Sequence, residues 1–274
     1  MLMNFRVIVL LLPIVLPVSA SELFFIGHSL INHDLPRMVD QIAASAGQKH
    51  AYEVQIINGA PLEWQWDNAD TAEGVDGRKY LANNSIDVLV MTEALPLANH
   101  LKWSDTHDYA KRFADLAKET SSDVQIAIFE TWHCTNSGTE QGCAHDKKSH
   151  IPWRKRLDQD LENWRGIAQA SSEDAHLIPG GQALARLHDE IEEGNVPGVG
   201  AMEYFFSDDI HLNDIGNYYM ACLHYAVIYD ASPLGLAHEI TDRWGNSYDA
   251  PSQKLAKRLQ ELAWEVVKNQ RHDL

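Results

Sequence analysis

Short apolar runs alternate along this 274-residue chain with longer segments of helical spacing, and that alternation restricts the fold more than any other feature. Residues 21–26 (SELFFI), 52–57 (YEVQII), 86–91 (IDVLVM), 124–129 (VQIAIF) and 175–178 (AHLI) read as strands. Residues 35–46, 105–119, 152–170, 182–193, 213–229 and 252–269 carry apolar side chains at helical intervals. Gly47 closes the first helix, Asn58-Gly59 the second strand, and Pro179-Gly180-Gly181 the fifth. Strands that are apolar runs belong to sheets covered on both faces. Strand-then-helix order with right-handed crossovers makes neighbouring strands parallel. The expected fold is therefore α/β, a three-layer α/β/α sandwich around a parallel sheet of about five strands. Without an internal repeat or a Pro/Ser-rich linker, residues 21–274 are expected to form one domain. Ligands of such sheets bind at the carboxyl ends of the strands.

The first twenty residues stand apart. Arg6 precedes an apolar stretch over 7–18 that contains Pro13 and Pro17, and Val18-Ser19-Ala20 is a small-residue cleavage site. This is the layout of a secretory signal. The run falls short of the ~20 residues needed to span a bilayer. The expectation is a signal peptide over 1–20, a periplasmic or secreted location, and no stable membrane anchor after cleavage. Charge narrows the partners. With 39 acidic against 22 basic residues the chain carries −17, which disfavours binding to nucleic acid or an anionic membrane.

Export implies an oxidising compartment, where cysteines pair. Cys134 and Cys143 flank a short segment rich in Asn, Ser, Gly and Thr, which can close into a disulfide. Cys222, inside YYMACLHYAVIY, reads as a buried free thiol. His133, His145 and His150 share the loop of the paired cysteines, but their spacing matches no zinc motif. No metal or organic cofactor is expected. The basic runs Lys147-Lys148 and Arg154-Lys155-Arg156 read as solvated surface.

Two local patterns carry chemistry. The first strand runs into Gly27-His28-Ser29-Leu30, which puts Ser29 on a tight turn at the strand's carboxyl end. A nucleophilic serine needs such a turn, although a capping serine uses one too. Near the other end stands Ser207-Asp208-Asp209-Ile210-His211-Leu212-Asn213. Asp208 and His211 lie about one helical turn apart, close enough for the carboxylate to orient the ring. A surface turn capped by Asn213 would look the same.

Taken together, a serine after the first strand and an Asp-x-x-His before a late helix resemble the SGNH/GDSL hydrolase superfamily. The likeness runs along the chain from residue 21. It implies a flavodoxin-like sandwich and hydrolysis of esters, often acetyl groups on carbohydrates. It further implies Ser29 as nucleophile, His211 as base and Asp208 as acid, with the N–H groups of Ser29 and Gly59 in the oxyanion hole. The family's glycine–aspartate–serine is Gly27-His28-Ser29 here. Its third block, which supplies an asparagine to the oxyanion, is replaced by Met91-Thr92-Glu93-Ala94-Leu95-Pro96-Leu97-Ala98-Asn99. Asn99 is the nearest asparagine, while Glu93 holds the more natural position and suits substrate binding better than an oxyanion.

Trp64 and Trp66 follow Gly59, and Trp132 follows the fourth strand, all in polar loops suited to stacking on sugar rings. His28 and His33 flank the serine and are expected to line its pocket, whereas Trp103 and Trp153 are expected in the core. The leading expectation is an exported serine esterase acting on a small-molecule or polysaccharide ester, most readily an O-acetylated carbohydrate. The alternatives are a lipid or small-ester acylhydrolase and a carbohydrate-binding protein that has lost catalysis.

Overall fold

Successive side chains of the central strands point into two different apolar layers. The computed structural model describes residues 21–272, so the expected signal peptide over 1–20 lies outside the described residues. The strands are β1 (Ser21–Gly27), β2 (His50–Ile56), β3 (Glu73–Gly74), β4 (Val88–Met91), β5 (Gln125–Phe129) and β6 (His176–Ile178). They form one sheet in the order β3-β2-β1-β4-β5-β6. All neighbours run parallel except β3, which is antiparallel to β2. The five expected strands are thus present. The sixth is a two-residue edge, too short to carry a period, and Val54 crowds it so closely that a Cβ on Gly74 would meet the Val54 carbonyl oxygen at 2.1 Å.

The helices among the described residues are α1 (Asp34–Ser45), α2 (Leu62–Asp67), α3 (Gly77–Asn83), α4 (Leu97–Trp103), α5 (Thr106–Thr120), α6 (Trp153–Ser171), α7 (Gly180–Glu192), α8 (Asp214–Ile228) and α9 (Gln253–His272). The sequence reading missed α2, α3 and α4, whose six or seven residues fall short of two turns. Phe25, Val90 and Phe129 pack under α1, α7, α8 and α9. Phe24, Ile26, Leu89 and Ile128 face α3, α5 and α6 on the other side. Burying one such phenylalanine contributes roughly 2–3 kcal/mol. Helix α8 is buried from Tyr218 to Val227, as its all-round apolar sequence requires. Inside it Cys222 is a free thiol, which burial pushes up to about 12.

Two surface expectations change. Trp103 is 73% exposed rather than in the core, because α4 buries only Leu97. Trp153 is buried as expected. Arg156 is not solvated: it is buried against Asp146 and Ser137, the inward side of an otherwise polar helix. No helix of the described residues is long and apolar enough to cross a membrane.

Candidate active site

The sheet leads directly to the first functional side chain. At the end of β1, Gly27 has no room for a Cβ, which would lie 2.7 Å from Ile31 Cδ1. The His28 carbonyl then accepts the N–H groups of Ile31 and Asn32 (2.9 and 3.0 Å), closing a tight turn before α1. Asn32 adopts a left-handed backbone (φ +44°), and its side chain accepts from Asp34 N–H at 2.6 Å, starting the helix. Ser29 therefore projects half-buried from a fixed turn at the carboxyl edge of the sheet.

The second element is a loop pinched at its base by a bridge between Phe206 and Leu212. The loop is a hairpin and not a helical turn. The Ser207 N–H donates to the His211 carbonyl at 2.8 Å, so the hairpin itself brings residues 208 and 211 together. Asn213 caps α8 by accepting from the N–H groups of Ile215 and Gly216. Gly216 lets the helix dock, since a Cβ there would lie 2.4 Å from the Phe205 carbonyl oxygen. The histidine thus arrives on a loop anchored at both ends.

The two elements meet. His211 Nε2 lies 2.8 Å from Ser29 Oγ, and His211 Nδ1 lies 2.7 Å from Asp208 Oδ2. An ionised carboxylate only accepts, so Nδ1 carries the proton and donates it to Asp208. Nε2 is then the lone-pair nitrogen and accepts from the Ser29 hydroxyl. The other Asp208 oxygen accepts the N–H groups of Ile210 (2.8 Å) and His211 (2.6 Å). Burial pushes the Asp208 carboxyl up, but those N–H groups and the ring outweigh it and hold it below its ordinary value. The group stays ionised and keeps the imidazole in one tautomer.

The remaining wall comes from β2. Beyond that strand, Ile57 N–H donates to the Gly27 carbonyl (3.1 Å) and Ala60 N–H returns to Ile57 (3.1 Å), so this loop lies beside the serine turn. Gly59 sits at φ +70° with open space around it. Among the described residues, the N–H groups of Ser29 and Gly59 donate to no protein acceptor. Asn58 lines the cleft together with Ser29 and His211, in a cavity of ≈ 450 Å³. Its side chain makes no hydrogen bond among those of the described residues.

Several expected site residues lie elsewhere. The Asn99 amide donates to the His145 carbonyl at 3.1 Å, and Asn99 does not line the serine cleft. Glu93 is fully buried, and its Oε1 accepts the N–H groups of Ala94 (2.7 Å) and Leu62 (3.2 Å). It ties α2 to the loop after β4 and cannot reach a substrate. Burial raises its carboxyl to about 7, against those N–H bonds and the Thr106 hydroxyl. His28 is buried as well. It donates from Nε2 to the Glu93 carbonyl (3.1 Å), while its Nδ1 takes the Leu30 N–H (3.4 Å). Burial depresses its ring to about 4, so it is a neutral brace for the serine turn and not a substrate contact. Trp132, by contrast, is among the residues lining the serine cleft, although its side chain is buried and its Nε1–H is held by the Ile210 carbonyl at 2.8 Å. Trp66 packs edge-on against Phe113. Trp64 and Trp66 lie on α2 and not in a loop; Trp64 is 55% exposed and Trp66 half-buried.

Sequence reasoning missed two features. The first is Asn58, whose only sequence signal was its place before Gly59. The second is the buried pair Gln55 and Gln65. The Gln65 amide donates to the Gly27 carbonyl (2.5 Å) and the Ile57 carbonyl (3.2 Å), clamping the serine turn to the Gly59 loop. Gln55 in turn donates to Gln65 (3.0 Å). A glutamine in an apolar strand was the available signal. The Cys134–Cys143 disulfide is formed. His133 is spent on Asp160 (2.7 Å), and no cluster among the described residues could hold a metal ion.

Neither protein-family models nor curated protein sequences match the chain. Solved structures do. A DUF4886 family protein from Bacteroides uniformis superposes with a TM-score of 0.67 over 91% of this chain and 95% of its own, at 15% identity. A protein named as a GDSL-like lipase, from Parabacteroides merdae, superposes with a TM-score of 0.53 over 78% of this chain and 98% of its own, at 12% identity. At those identities the likeness is one of fold: this chain shares its mostly parallel α/β architecture with the protein named as a GDSL-like lipase.

Proposed function

We propose that this protein is a serine esterase that removes O-acetyl groups from carbohydrates by way of an acyl-enzyme. The observation that carries the reading is the unbroken line Ser29 Oγ, His211 ring, Asp208 carboxylate, at 2.8 and 2.7 Å. His211 Nε2 takes the Ser29 proton as Oγ attacks the ester carbonyl. The carbonyl oxygen gains the charge and meets the N–H groups of Ser29 and Gly59. The imidazolium gives its proton to the departing alkoxide as the C–O bond breaks. Water then attacks the acyl-serine, passing a proton to His211, and acetate leaves as Ser29 recovers its hydrogen.

A sugar ester suits the cleft better than a lipid does. Asn32, Asp34, Asn58 and Asn217 line it, and they offer hydrogen bonds to hydroxyls where a long acyl chain would need an apolar wall. The name of the Parabacteroides merdae protein points to lipid esters, so acyl length is the discriminating variable. Acetylated sugars and p-nitrophenyl esters of two to twelve carbons should be compared, with Ser29→Ala as control. The reading expects activity highest on acetyl and lost in the variant. A preference for long chains would contradict the carbohydrate assignment. An export signal in residues 1–20 and a disulfide fit action outside the cytoplasm, which belongs to the same proposal.

A further inference from the structure

A second cavity adjoins the serine cleft. Its volume is ≈ 480 Å³, and it shares Asn32 and Asp34 with the first. Each is the size of a cleft that encloses a small ligand, ~300–1,000 Å³. Tyr248 stands at the junction, donating its hydroxyl to Asp34 Oδ1 at 2.6 Å. On the far side lies Trp244, 71% exposed.

That indole is not a loose surface side chain. It sits on a hairpin closed by a bridge between Thr241 and Ser247. The Asp242 carboxylate accepts the N–H groups of Trp244 and Asn246, each at 2.8 Å, and the Asn246 amide at 2.9 Å. The hairpin is fastened to α1, where Thr241 N–H meets Gln41 Oε1 (3.2 Å) and the Thr241 carbonyl accepts from Arg37 Nε (3.3 Å). The Arg243 guanidinium lies 4.2 Å from the indole centroid, fixing one face and leaving the other free. The helix holding this platform is the one that begins at the serine turn, so platform and nucleophile share a rigid frame. An indole kept in water on a fixed hairpin loses the burial it would gain in a core. A flat apolar face ringed by hydrogen-bonding groups is what a pyranose ring stacks upon.

We propose that Trp244, with Tyr248 and Asp34, forms a second sugar subsite, so that the substrate is an oligosaccharide or polysaccharide of at least two units. The ester-bearing unit lies over Ser29 and a neighbouring unit stacks on Trp244. This rests on the esterase reading above and names its substrate class.

The test uses acetylated gluco-, xylo- and manno-oligosaccharides of one to six units. For at least one series, kcat/KM should rise about tenfold from one unit to the longer chains, through KM. Trp244→Ala should abolish most of that rise, and Trp244→Phe should keep part of it. Binding of the unacetylated hexaoses to Ser29→Ala protein is measured by calorimetry with and without Trp244→Ala, and affinity should fall at least fivefold in the double variant. An unchanged melting temperature in Trp244→Ala excludes misfolding. No length dependence in any series, or a dependence that survives in Trp244→Ala, overturns the subsite while leaving the esterase standing. If the wild type cleaves no ester at all, the esterase reading fails. The calorimetry then decides the subsite alone, with a Trp244-dependent affinity supporting it and no binding or a Trp244-independent affinity rejecting it.

Discussion

The buried indole of Trp132 donates its Nε1–H to the carbonyl of Ile210, 78 positions further along the chain, at 2.8 Å. Ile210 lies between Asp208 and His211, so Trp132, which also lines the serine cleft, braces the His211 loop. Thr135 N–H and the Asn136 amide add bonds to Asp209 (2.6 and 3.1 Å). The segment that makes these bonds begins at the Cys134–Cys143 disulfide. Replacing Trp132 with Phe removes one hydrogen bond of ~1 kcal/mol while keeping most of the packing. The expected result is a kcat about fivefold lower with KM nearly constant and a native circular dichroism spectrum. A KM effect without a kcat effect would show Trp132 acting as a substrate contact and not as a brace.

On the proposed esterase mechanism, two asparagines compete as third oxyanion donor. Asn58 lines the serine cleft, whereas the Asn99 amide is taken by His145. Loss of one oxyanion donor costs ~10²–10³ in kcat. Asn58→Ala is expected to lose about a hundredfold in kcat, and Asn99→Ala no more than about twofold. The opposite ranking would reinstate Asn99.

Glu93 gives a pH signature in stability. Burial raises its carboxyl from 4.5 to about 7, so the folded state favours the protonated form. The stability this confers is complete below about pH 4.5, declines as pH rises towards 7, and is lost above that. Each unit corresponds to ~1.4 kcal/mol. Glu93→Gln keeps the acceptor for Ala94 and Leu62 and removes the titration. It should therefore raise the melting temperature at pH 8, by about 1–3 kcal/mol in stability, with little change at pH 4. His28, depressed to about 4, acts in the other direction between pH 6.5 and 4, but equally in both proteins. A melting-temperature difference of the same size at pH 4, 6 and 8 would show that charge at Glu93 plays no part.

What the sequence revealed follows from the length scale of each signal. Five buried strands and six long helices repeat their periods often enough to be read, and Gly27 before Ser29 and Asn213 before α8 mark their turns chemically. The line from Ser29 through His211 to Asp208 was legible because its members lie in two local motifs. Not all the tryptophans were, because a polar sequence does not reveal which way an indole turns: Trp66 packs on Phe113, and Trp244, never singled out, points to water. Glu93 and His28 misled for a related reason. A polar residue beside the serine, or at the end of β4 where the resemblance places a third block, looks like a site residue, yet both are buried and satisfy backbone groups that the turns leave open. Arg156 likewise sat in a basic run but lies on the inward side of α6.

Ester hydrolysis by this route depends on the Ser29 hydroxyl being activated by His211, and covalent trapping tests that most directly. The protein is treated with a fluorophosphonate and the adduct is mapped by peptide mass spectrometry while acetyl-ester hydrolysis is followed. One adduct on Ser29, formed in step with complete loss of activity and absent from His211→Ala protein, is the expected result. Labelling at another residue, or full hydrolysis by Ser29→Ala, would contradict the account.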